Sequence, residues 1–273
     1  MNEPQDSEMT LPRPSPPPLR VHHLLVWMAF SALMLTMSGL PRQFYAAESP
    51  VYEVVELVWR AGMAILYAAA LTLTLLGIGW RWRGLAYFDQ PGQWLLAVNA
   101  FIGVSRLIRE AVYRKWFDAV AQPVRLAAGG ETTEIGPTLP ESVGAALFVF
   151  EMAVLLGAVG LCLTYARSER LSPNWRRVFY WKAVLAVVVS TSFKVWQHLP
   201  FAHRIVSGWF IANVQIWLYA FTPAIALGLL AWAAIDDRRA GRHWHWTHSC
   251  GVVVQGALHI LYLITLATFY WLR

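Results

Sequence analysis

Long apolar runs, separated by short polar segments, make up most of the chain. Seven such runs are visible, at residues 22–40, 55–80, 93–113, 143–165, 179–199, 209–235 and 251–272. A helix needs about 20 mostly apolar residues to cross a bilayer. The pattern therefore predicts an all-α fold, an integral membrane helix bundle of about seven transmembrane helices. Six spans are the alternative, because the third run contains Arg106, Arg109 and Glu110.

The two ends of the chain and one loop differ from this pattern. Residues 1–20 are polar and rich in proline, so they cannot bury a core, and we expect a disordered cytoplasmic tail. Residues 21–273 then form a single transmembrane domain, with an outer loop at 114–142. The first run is longer than the ~7–15 apolar residues of a signal peptide. We interpret it as an uncleaved span, and a cleaved signal is the alternative.

Composition supports a membrane location. Hydrophobic residues make up 57% of the chain and charged residues only 14%, against about a quarter in soluble domains. The chain has 15 tryptophans, a residue that concentrates at membrane interfaces. The net charge of +6 comes from arginines in short loops beside apolar runs, which favours orientation in a membrane over nucleic-acid binding. We expect the bilayer of a bacterial plasma (inner) membrane as the partner, and no nucleic acid.

Arginine placement predicts the orientation of the spans. The tail and the segments 81–92, 166–178 and 236–250 hold more arginine and lysine than the segments on the other side. Cytoplasmic loops carry such an excess. The N-terminus is therefore predicted to be inside, and seven spans put the C-terminus outside.

Ionisable residues gather near the outer ends of the runs. The candidates for a ligand-binding site are Arg60, Arg106, Arg109, Glu151, Lys194 and His198. The inner halves of the runs are expected to hold nothing comparable except His259. Because a charge at the centre of a span costs ~3 kcal/mol, several charges in one leaflet indicate a shared polar pocket that opens outward.

Some of these charges can be neutralised by pairing. Glu56 and Arg60 are four residues apart with the acid first, which is the favourable order on a helix. Glu151 has no basic residue within a turn of its own run, so its partner must come from another span. Lys194 is the first choice, followed by Arg60, Arg106 or Arg109. The balance leaves a net positive site. The alternative is a set of ion pairs that join helices, with arginines reaching to the head groups.

Histidines raise a second possibility, a b-type haem or a metal site. Haem needs two axial histidines at matching depth, and His259 has no such match. A metal could bind an inner group made of His243, His245 and His248 with His22 or His23. Histidines among interfacial tryptophans and arginines are more often simply interfacial, so we expect no metal site and no cofactor.

Sequence signatures of catalysis are absent. The chain contains no H-E-x-x-H, G-x-S-x-G or P-loop pattern, and Cys162 and Cys250 form no C-x-x-C pair. The activity is therefore undetermined, and no catalytic residue is assigned. The expectation is binding or transport of an anionic or amphiphilic molecule at the outer-leaflet polar cluster. A structural or sensory membrane subunit without a small-molecule ligand is the alternative, and a membrane-embedded enzyme or redox protein comes third.

The orientation can be tested with reporter fusions. A fusion after Arg273 and another within Gly129-Gly130 should both report the outer side of the membrane, because arginine asymmetry places both positions there. A cytoplasmic signal from the C-terminal fusion would contradict seven spans in this orientation.

Overall fold

The computed structural model describes residues 17–38, 50–116, 140–198 and 208–271, with side chains at 17–37, 54–112, 140, 142–188 and 220–268. Most of the predicted tail and of the predicted outer loop 114–142 lie outside the described residues. Within the described ranges the regular secondary structure is entirely helical.

Seven helices are described, and the described part of each predicted apolar run lies on one of them. They are α1 (Val21–Ser38), α2 (Pro50–Trp82), α3 (Pro91–Trp116), α4 (Glu141–Ala166), α5 (Pro173–His198), α6 (Gly208–Arg239) and α7 (Trp246–Trp271). The all-α prediction is confirmed. Proline starts α2, α3 and α5, as is common at a first helical position, where its missing N–H costs nothing.

The helices differ in how apolar they are. Four contain stretches long and apolar enough to cross a membrane: 54–82 in α2, 142–166 in α4, 220–239 in α6 and 246–268 in α7. The apolar part of α1, Val21–Met37, is shorter. Helices α3 and α5 carry more polar residues, and their residues with described side chains, 91–112 and 173–188, include no such stretch.

Helix α3 occupies the interior of the bundle. It packs against α1, α2, α4 and α7, while α5 packs against α4 and α6, and α6 also packs against α7. Leu95 and Leu96 of α3 are fully buried, and so are its polar residues Gln93 and Asn99. The more polar helix is thus covered by more apolar neighbours, as the hydrocarbon phase requires.

One end of the bundle, called here the basic end, gathers the connections 83–90, 167–172 and 240–245. Gln90 donates to the backbone carbonyl of His243 (3.1 Å), which joins the α2–α3 and α6–α7 connections. Trp175 at the start of α5 donates to the Asp237 carboxylate near the end of α6 (2.7 Å). Trp246 donates to the carbonyl of Pro17 (3.0 Å), so α1 also begins at this end. Helices α3, α5 and α7 therefore all start there.

Helices α3 and α7 cross closely at a pair of glycines. The backbone N–H of Gly92 donates to Nδ1 of His248 (2.8 Å), and Gln93 donates to the Thr247 hydroxyl (2.7 Å). A Cβ atom on Gly251 would overlap the carbonyl oxygen of Gly92. Only a residue without a side chain permits this approach, as at small-residue crossings in membranes.

The crossing predicts the effect of adding one methyl group. Gly251→Ala should lower the thermal stability of the purified protein, by about 1–3 kcal/mol, because the methyl group must push two backbones apart. Gly160→Ala on α4 is the matched control, since a Cβ there meets nothing within 4 Å. Equal melting temperatures for the two variants in detergent would contradict the close crossing.

Candidate functional site

The ammonium group of Lys182 lies inside the bundle, where α3, α5 and α7 meet. Lys182 is the tenth residue of α5, Asn99 the ninth of α3 and Gln255 the tenth of α7. Because the three helices start at the same end, these residues lie at one depth, about 14 Å along their helices. The exposed stripe of α5, formed by Tyr180 and Val184, lies on the opposite face from Lys182.

Two amide oxygens accept hydrogen bonds from this ammonium group. Lys182 Nζ donates to Oδ1 of Asn99 (3.1 Å) and to Oε1 of Gln255. Asn99 Nδ2 also donates to the same Gln255 oxygen (3.0 Å). Hydrogen bonds to a charged group contribute about 1.5–3 kcal/mol, which offsets part of the cost of burying the charge. Both amides are themselves buried, so the cluster is fixed from the α3 and α7 sides.

Helix α7 extends the cluster by one turn. The Nε2 atoms of Gln255 and His259 are 2.6 Å apart. An amide nitrogen can only donate, so Nε2 of His259 accepts, and the ring carries its proton on Nδ1. His259 therefore belongs to a hydrogen-bonded group that begins at Lys182.

A cavity of about 270 Å³ adjoins this cluster. Asn99, Lys182, Gln255 and His259 line it, and so does Trp181, whose buried indole N–H has no hydrogen-bond partner among the described residues. Most of the remaining lining is apolar and comes from α2 to α7. Among the described residues that line the cavity, two are cations, Lys182 and Arg106, and none is an aspartate or a glutamate.

Arg106 lies toward the end of the cavity remote from the basic end. It follows Asn99 by seven residues, so the two share a face of α3 about 10 Å apart along its axis. Its guanidinium lies over the Tyr67 ring, 5.6 Å from the ring centre, a cation–π distance. The cavity thus follows α3 between an ammonium and a guanidinium group.

Other predicted site residues form ion pairs. Arg60 donates to the Glu56 carboxylate from Nε (2.9 Å) and Nη2 (2.5 Å), as the four-residue spacing predicts. Arg109 lies 3.6 Å from Glu110 and 3.6 Å from Glu151, so the last pair joins α3 to α4. Arg109 was among the predicted partners of Glu151, after Lys194.

Lys194 and His198 belong to α5, but their side chains lie outside the described residues. The first-choice pairing of Glu151 with Lys194 therefore stays a prediction. The same holds for a single outer pocket shared by all six candidates.

The expectation that the inner halves hold nothing comparable to His259 is wrong. Lys182, Asn99 and Gln255 lie four to seven residues into the runs predicted at 179–199, 93–113 and 251–272. Their common depth was readable from the sequence by counting from the loops at the basic end. Considered singly, each residue resembles an interfacial polar residue, and only the packing of α3 against α7 brings them together.

The histidines of the alternative metal site have other contacts. His248 accepts a hydrogen bond from Gly92 and lies edge-on against the Trp175 ring (5.4 Å between ring centres). Nδ1 of His245 lies 3.0 Å from the Thr247 hydroxyl. Among the residues that the structure describes, no group of three or more His, Cys, Asp or Glu side chains could hold a metal ion.

No known family, curated protein or solved structure matches the chain. Any functional conclusion therefore depends on the geometry of the bundle itself.

The pair between α3 and α4 can be tested by a double-mutant comparison. Arg109→Gln and Glu151→Gln should each lower the unfolding free energy, and the double variant should lose less than the sum. We expect a coupling of up to about 1 kcal/mol, because both side chains are partly exposed. Additive losses would mean that the two groups act independently. The same comparison between Glu151 and Lys194 tests the first-choice pairing.

Proposed function

We propose that this protein is a multi-pass membrane protein that binds a small anionic amphiphile in the cavity beside Lys182. The observation that carries the proposal is the charge of the lining, since the part of it that the structure describes holds two cations and no carboxylate. Lys182 is partly buried, and a cation removed from water needs an opposite charge or several acceptors. Asn99 and Gln255 supply two neutral acceptors to an ammonium group that has three N–H donors.

The ligand head group would bind at the Lys182 end of the cavity. A carboxylate or phosphate there accepts the remaining N–H of Lys182 and meets the unpartnered indole N–H of Trp181. Both donors would then be satisfied without movement of the helices.

The rest of the lining favours an apolar tail. Residues such as Leu95, Ile102, Ala158 and Leu258 line the cavity between its polar groups. The volume of about 270 Å³ is close to the lower end of ligand pockets, roughly 300–1,000 Å³. A single short acyl chain suits this volume better than a whole phospholipid.

Seven membrane spans, with the basic end inside a bacterial plasma membrane, belong to the same proposal. Support comes from the basic end, which carries Arg81, Arg83, Arg170, Arg238 and Arg242 beside the helix connections. This clustering is the asymmetry expected of a cytoplasmic face. Helix α3, too polar to meet lipid on all sides, would span the membrane against its four neighbours α1, α2, α4 and α7.

Binding of radiolabelled decanoate, a small anionic amphiphile, tests the proposal. Lys182→Met keeps the length of the side chain and removes its charge. The affinity of this variant for decanoate should be lower by a factor of about ten or more, since a charged hydrogen bond contributes about 1.5–3 kcal/mol. Methyl decanoate, which lacks the charge, should bind poorly to the unchanged protein. Mass spectrometry of co-purifying molecules would identify the natural ligand.

Arg60→Gln is the matched control, because Arg60 pairs with Glu56 and does not line the cavity. It should bind decanoate as well as the unchanged protein does, while Arg106→Gln should bind it more weakly. Thermal melting establishes that each variant is folded. Equal decanoate binding by folded Lys182→Met and Arg60→Gln would contradict the proposal, and so would the absence of binding to the unchanged protein. The alternative function, a structural or sensory membrane subunit without a small-molecule ligand, would then replace the proposal.

A further inference from the structure

A second cavity, of about 420 Å³, lies at the basic end between the ends of α2 and α4. The apolar stretches of these helices end at Trp82 and Ala166. Trp82 is 86% exposed, as expected of an indole at the level of lipid head groups. The cavity therefore lies where an apolar span meets water, outside the hydrocarbon and separate from the cavity beside Lys182.

Three charged residues line this cavity: Arg81, Arg170 and Asp89. Arg81 lies in the last turn of α2, Asp89 precedes α3, and Arg170 belongs to the α4–α5 connection. None of the three side chains forms an ion pair or a hydrogen bond with another described residue. Two positive groups and one negative group thus line the same cavity without neutralising one another.

Aromatic rings form one wall of the cavity. The Phe88 and Trp94 rings lie 5.0 Å apart between centres, and Trp94 stacks on Tyr165 at 4.8 Å. The indole N–H of Trp94 donates to the backbone carbonyl of Phe88 (2.6 Å). The wall is therefore fixed by hydrogen bonding and by stacking across α3 and α4.

The backbone beside this wall is held in an uncommon conformation. Phe88 has a φ of 68°, a region that costs a non-glycine residue about 1–3 kcal/mol. The preceding residue, Tyr87, is fully buried, and its hydroxyl donates to the carbonyl of Leu73 (2.8 Å). Burial raises the pKa of Tyr87, so the hydroxyl stays protonated and remains a donor. These contacts fix the loop that presents Phe88 and Asp89 to the cavity.

We propose that this cavity binds a zwitterionic phosphodiester head group with an ammonium, as in phosphatidylethanolamine. Arg81 and Arg170 bind the phosphate, since guanidinium groups pair well with phosphate oxygens. The ammonium lies against Asp89 and the faces of the aromatic rings, which attract cations. A purely anionic head group fits less well, because it has no positive group to pair with Asp89 and its negative charge is repelled by the Asp89 carboxylate.

Native mass spectrometry of the purified protein with added lipids tests this assignment. Phosphatidylethanolamine and phosphatidylglycerol with the same acyl chains are titrated separately. The unchanged protein should bind phosphatidylethanolamine about tenfold more tightly, the difference expected from one added charged contact. Asp89→Asn should remove most of this preference. Glu169→Gln, a neighbouring exposed acid outside the cavity, should keep it.

The arginines are tested in the same assay. Arg170→Gln should weaken the binding of both lipids, whereas Arg167→Gln, an exposed arginine of the same connection outside the cavity, should leave both unchanged. These substitutions are at exposed positions, and thermal melting establishes that the variants are folded. Equal or tighter binding of phosphatidylglycerol would overturn the proposal. So would an unchanged preference in Asp89→Asn.

The source of the head group is tested by competition with glycerophosphoethanolamine, which is water-soluble. Competition at concentrations similar to those of the lipid would assign the site to a free phosphodiester. Failure to compete would assign it to the membrane lipid. Either result keeps the chemistry proposed for the cavity.

Discussion

The interior of this bundle is organised by the need of one ammonium group for hydrogen-bond acceptors. Lys182 cannot face lipid at its depth in α5 without a large cost, and the oxygens of Asn99 and Gln255 meet it. Those amides come from α3 and α7, so the ammonium group links α5 by its side chain to two helices other than the ones it packs against, α4 and α6. The close crossing of α3 and α7 at their glycines supports this arrangement of acceptors, because it brings the two amides within 3.0 Å of each other.

The distribution of apolar and polar helices follows from this constraint. Helix α3 carries the buried polar residues Gln93, Asn99 and Ser105 and is covered by α1, α2, α4 and α7. The four helices with long apolar stretches can meet lipid, and their exposed residues are mostly aliphatic or aromatic. The partly buried Lys182 has a cavity beside it. Charge, burial and free space therefore coincide at one place, which is the usual property of a binding site.

Much of the fold could be predicted from the sequence, and less of the site. The described part of each apolar run lies on a helix, and such runs can be predicted because length and hydrophobicity are properties of the chain alone. The pair of Glu56 with Arg60 is local, so spacing on one helix predicted it. Contacts between helices depend on which faces of the helices meet, and the sequence pattern of a single helix does not contain that information. Counting depth along the runs ranked Lys194 before Arg109 as the partner of Glu151, whereas the structure shows an ion pair of Glu151 with Arg109. The same counting missed Lys182, because its two hydrogen-bond acceptors lie on other helices.

An experimental structure of the protein extracted from its native membrane, at a resolution that shows side chains and bound lipids, tests the central claim most directly. The account predicts non-protein density in the cavity, with polar atoms within hydrogen-bond distance of Lys182 Nζ and a tail running along α3 toward Arg106. Asn99 and Gln255 should still accept from the same ammonium group. A cavity closed by protein side chains, with a carboxylate of the chain against Lys182, would contradict the account.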